Sequence, residues 1–185
     1  MKLDAEYFRD LGENTTNITN AWAGARDYVS RGVKAWARQQ FGADRQMAVR
    51  AAIACCELVL GEYEQDHPEL PPKSYLDDMV AHIKRWLADP SRENTEAVRS
   101  ALNVTRDAHA WQREEDAESY WILEAVDHAC LAVWSGSRAS YIVPIDYATT
   151  AARSIACTLH AMRDAGVPED VACDRIVQAV RAVIA

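Results

Sequence analysis

Three acid and histidine pairs stand four residues apart in this chain: Asp78 with His82, Glu124 with His128, and His160 with Asp164. On an α-helix that spacing sets both members of a pair on one face, where they can form an ion pair or offer two ligands to a metal. A helical di-iron type of site needs several Glu residues and a Glu-x-x-His spacing, contributed by several helices. Here the spacing is four and the ligands are too few. No metal and no cofactor are therefore expected, and each pair is read as a local ion pair or a buried hydrogen bond. Were a metal to bind, His128 would be its first ligand, with Glu124 and Asp127 closest in sequence.

Nucleophilic chemistry finds even less support. The Gly-x-Ser-x-Gly turn that presents a serine is absent, and Ser135-Gly136-Ser137 reads better as a helix stop. No Gly-rich loop could cradle a phosphate. Catalytic residues are accordingly not expected, and the chain is read as a non-enzyme. Five cysteines, an odd number, include no Cys-x-x-Cys and no zinc spacing. Cys55, Cys130, Cys157 and Cys173 each follow an alanine in an apolar run, with Cys56 beside the first, which suits thiols acting as small core hydrophobes. Six tryptophans are mostly core by the same reasoning. Trp111 is the exception, since it precedes Gln112-Arg113-Glu114-Glu115-Asp116 at a helix end, and a contact with a partner is weighed for it.

The elements that must position these residues are helical. The 185 residues include 32 Ala against 7 Gly and 6 Pro, and 49% are apolar, enough for one core in one domain. No stretch has the ~18 apolar residues of a membrane span, and charges alternate from Met1 to Gly12 where a signal peptide would be apolar, so a cytoplasmic protein is expected. Periodicity predicts helices over 44–66, with two apolar faces, and over 74–88, opened by a Ser74 and Asp77 cap. Others are expected over 92–112, 114–135, 146–165 and 168–184, with Gly136 and Gly166 as stops and Pro168 as a starter. Two less definite helices precede them, near 4–11 and 20–40, in an N-terminal segment 1–43. The fold class is all-α: a single-domain antiparallel bundle of six to eight helices, with 44–185 as its main body.

Charge adds a direction to this bundle. Lys and Arg number 20 and Asp and Glu 28, a net charge of −8 that argues against direct nucleic-acid binding. Antiparallel helices would bring the 67–73 connector, the 112–116 connector and the Gly166 turn to one end. That end gathers Glu62, Glu64, Asp66, Glu69, Asp77, Asp78, Glu114, Glu115, Asp116, Glu118, Asp164, Glu169 and Asp170 against Lys73, Arg113 and Arg163, while Arg38, Arg45, Lys84, Arg85, Arg92 and Arg138 go to the other. Acids favour helix N-termini, so capping and solvation explain many of them. Glu62, Glu64 and Asp66 fall in a predicted last turn, where the helix dipole opposes them. A surface that attracts a basic partner is the competing explanation.

Four segments together resemble a known family. They are Val49 to Leu60 with the acidic, proline-containing link after it, Tyr75 to Leu87 ending in Arg85-Trp86-Leu87, Ala97 to Ala110 with Asp107-Ala108-His109-Ala110, and Val143 to Ala156. Their pattern is similar to that of the helical immunity proteins of bacterial polymorphic toxin systems. The resemblance covers about two-thirds of the chain, leaves residues before 44 unmatched, and places Asp146 where the family pattern has histidine. It implies a small protein that binds and neutralises a cognate toxin. Charge placement separately offers Glu62, Glu64, Asp66, Glu69, Asp77, Asp78, Glu114, Glu115, Asp116 and Glu118, with Trp111, as the surface for a partner that is basic. The alternative is a helical ligand-binding or regulatory domain with a pocket lined by Trp, Tyr and Cys between helices. Homo-oligomerisation is left open, and no membrane contact is expected.

Overall fold

The computed structural model describes residues 31–65, 70–108, 119–134 and 147–184. Among them lie seven α-helices and no strand: α1 Arg31–Phe41, α2 Arg45–Cys56, α3 Lys73–Ala88, α4 Arg92–Ala108, α5 Tyr120–Trp134, α6 Tyr147–Asp164 and α7 Glu169–Ile184. The all-α bundle expected from periodicity is the fold observed. Residues 1–30, including the expected helix near 4–11, lie outside the described residues.

Local chemistry accounts for several helix ends. Gly42, at φ +55, turns the chain out of α1, and the Asp44 carboxylate then accepts the Met47 N–H at 2.9 Å to cap α2. Ser91 Oγ accepts the Asn94 N–H at 3.2 Å at the start of α4. α6 closes in a Schellman arrangement: Gly166 at φ +77 donates to the Arg163 carbonyl, and Val167 donates to that of Met162, each at 2.9 Å. Pro168 follows and its carbonyl accepts the Ala172 N–H, which starts α7.

Two expectations about boundaries are corrected. α2 stops at Cys56 rather than near 66, because the Leu58 and Val59 N–H groups bond three residues back, to Cys55 and Cys56. A short 3₁₀ turn, Leu60–Glu62, follows. Val59 and Tyr63 are both buried, so the four-residue apolar rhythm outlives the helix that it normally signals. Glu62 thus closes a 3₁₀ turn and Glu64 lies beyond it, so neither occupies the last turn of an α-helix. At α3 the Ser74 and Asp77 cap does not form. The helix begins one residue earlier, with Pro72 at the cap position and no side-chain cap bond.

The core is centred on α5 and α6, the most extensively packed pair, with α2 against both and against α7. α1 covers α6, and α3 packs on α4 and α5. Buried alanines line these contacts: Ala48, Ala51 and Ala52 on α2, Ala125, Ala129 and Ala132 on α5, and Ala148, Ala151, Ala152 and Ala156 on α6. Side chains of that size let helix backbones approach closely, which gives the alanine content a structural reason. α2 is central, as its two apolar faces predict. On α3 the stripe runs through Leu76, Met79, Val80, Ile83 and Trp86, while the expected Leu87 is only half-buried. Trp86 takes that place because its indole N–H is satisfied by Thr95 Oγ1 at 2.9 Å. All five cysteines are buried thiols, with no disulfide between them.

Candidate functional site

At the acidic end of the bundle the chain leaving α2, the start of α5 and the turn from α6 to α7 enclose a cleft of about 510 Å³. Leu58, Val59, Ile122, Met162 and Val167 supply its apolar surface, and Glu62, Glu64, Asp164 and Arg175 its charges. Each position follows from local structure. Past the 3₁₀ turn the backbone is extended at Tyr63, whose side chain is buried with its hydroxyl donating to the Pro71 carbonyl at 2.6 Å. Its neighbours Glu62 and Glu64 are therefore exposed. The Glu64 N–H donates to Ser119 Oγ at 3.1 Å, which ties this strap to the start of α5, and the Lys73 ammonium donates to the Leu60 carbonyl at 2.5 Å, which ties it to α3.

Asp164 enters from the last turn of α6, where the carbonyl end of the helix dipole adds to its negative field. Three acidic residues and one basic residue, Arg175 of α7, thus line the cleft. Such a cleft favours a cationic occupant and opposes an anionic one. Leu58, at 37% exposure, leaves apolar surface open to contact beside the acids.

Of the sequence-predicted binding residues, the structure brings Glu62 and Glu64 together in this cleft. Asp77 and Asp78 are exposed near the start of α3 and do not line it. Asp66, Glu69, Trp111, Glu114, Glu115, Asp116 and Glu118 lie outside the described residues. Arg175 is an addition that no local signal announces, since it reaches the cleft only through the packing of α7.

A second polar region runs along the α5 and α6 contact. Glu124, Asp127 and His128 are all buried, and His128 Nε2 lies 3.5 Å from Glu124 Oε2. Of the three acid and histidine pairs, this one brings its members within ion-pair distance. Asp78 and His82 make no such contact, and His160 stacks on Trp121, with ring centroids 4.4 Å apart. Ser154 Oγ donates to the Ala125 carbonyl at 2.8 Å and lies 3.3 Å from Cys56 Sγ. Burial pushes the Cys56 thiol up to about 12 and also raises Cys55 and Cys157, so these sulfurs stay protonated and poorly nucleophilic. Burial, helped by the Arg163 charge, lowers His160 to about 4. The available signal was the 124, 127, 128 spacing, one polar face on an otherwise apolar helix. Among the described residues, no group of three or more His, Cys, Asp or Glu side chains is placed to hold a metal ion. No helix among them is long and apolar enough to cross a membrane. No family model, no curated protein and no solved structure matches this chain.

Proposed function

We propose that the protein is a cytoplasmic immunity factor that binds a cognate toxin's effector domain through its acidic cleft and neutralises it. The observation that carries this reading is the meeting of Glu62, Glu64 and Asp164 on one cleft with apolar walls. Acids steer a basic partner to the surface, and desolvated apolar groups then slow its release. The family resemblance supplies the class of partner, and the net charge of −8 points to a basic protein surface in preference to nucleic acid. A ligand-binding domain is the rival reading. The cleft volume of about 510 Å³ suits a small molecule, although Trp, Tyr and Cys are missing from its lining.

The test first asks whether a toxin gene lies beside this one, whose absence counts against the proposal, and then whether the protein protects cells that produce that toxin. Glu62 and Glu64 are exposed, so Glu62→Lys with Glu64→Lys leaves the fold intact by circular dichroism. In this reading the double variant associates with the effector more slowly, an effect that shrinks as salt shortens the Debye length to ~8 Å or less, and protection falls. A folded double variant that binds and protects like the parent refutes it.

A further inference from the structure

We draw no further inference here: the strongest candidate, the Arg45 guanidinium over the Trp86 ring at the start of α2, with Nε and Nη2 unpaired among the described residues, carries nothing, because it is a half-buried side chain at a helix N-terminus and nothing in the structure points to an anion for it to hold.

Discussion

His160 should give the protein a dependence on pH that one substitution removes. Its imidazole is buried against Trp121, its Nε2 has no hydrogen-bond partner among the described residues, and it is held at about 4 against an ordinary 6.5. The folded state therefore refuses a proton that the unfolded chain accepts. Stability from this residue is complete above the unfolded value, and it is lost as pH falls from 6.5 towards 4. The gap between those values corresponds to about 3 kcal/mol when complete, of which about 2 kcal/mol is lost between about pH 7 and pH 5. His160→Phe keeps an aromatic ring on Trp121 and has nothing to titrate. Urea unfolding of both proteins at the two pH values gives the comparison, because every other group is common to the two and cancels. The variant should lose about 2 kcal/mol less than the parent over this interval. Equal losses in the two proteins would show that His160 is already protonated or solvated in the folded state, and the burial argument would fail.

Four further outcomes follow from the same geometry. Gly166→Ala has room for its Cβ but must hold φ +77, so unfolding free energy should drop by about 1 kcal/mol, readable by urea titration. Trp86→Phe removes the donor to Thr95 Oγ1, at a cost of about 1 kcal/mol in the same assay, and an unchanged midpoint would deny that bond its role. The five buried thiols should react with a thiol reagent only as fast as the protein unfolds, and intact mass should show no disulfide. A chelator should leave the melting temperature unchanged, and a fall of many degrees would restore a metal to the account.

The parts of the fold legible in the sequence are those fixed by chemistry a few residues long. Asp44, Gly166 and Pro168 act on backbone groups within one turn, and they mark the boundaries that were expected. The end of α2 was not legible. Val59 and Tyr63 continue the four-residue rhythm through a 3₁₀ turn, so the pattern reports burial and not helix. The polar seam was hidden for a different reason. Charged residues on a helix usually face water, and only the packing of α6 over α5 encloses Glu124, Asp127 and His128. At the cleft, the acids could be read as a cluster from charge and connection lengths alone. Their meeting with Met162, Val167 and Arg175 depends on how α5, α6 and α7 end together, a long-range outcome that no local pattern encodes.

Corrected boundaries also change which acids need a functional explanation. Glu169 and Asp170 occupy the first turn of α7, where the positive end of the dipole stabilises them, and capping is sufficient for both. Glu62 and Glu64 lie outside any α-helix, so no dipole either rewards or penalises them in the way expected for a last turn. The penalised acid is Asp164. It stands in the last turn of α6, beside the carbonyl ends and opposite the preference for cations that Arg163 satisfies one residue earlier. The cost there is about 0.3 to 1 kcal/mol at an exposed site. Asp164 nevertheless faces the cleft that Glu62 and Glu64 share. Glu62 and Glu64 are then the acids that neither capping nor a helix dipole accounts for, and they are the two on which the proposed partner surface rests.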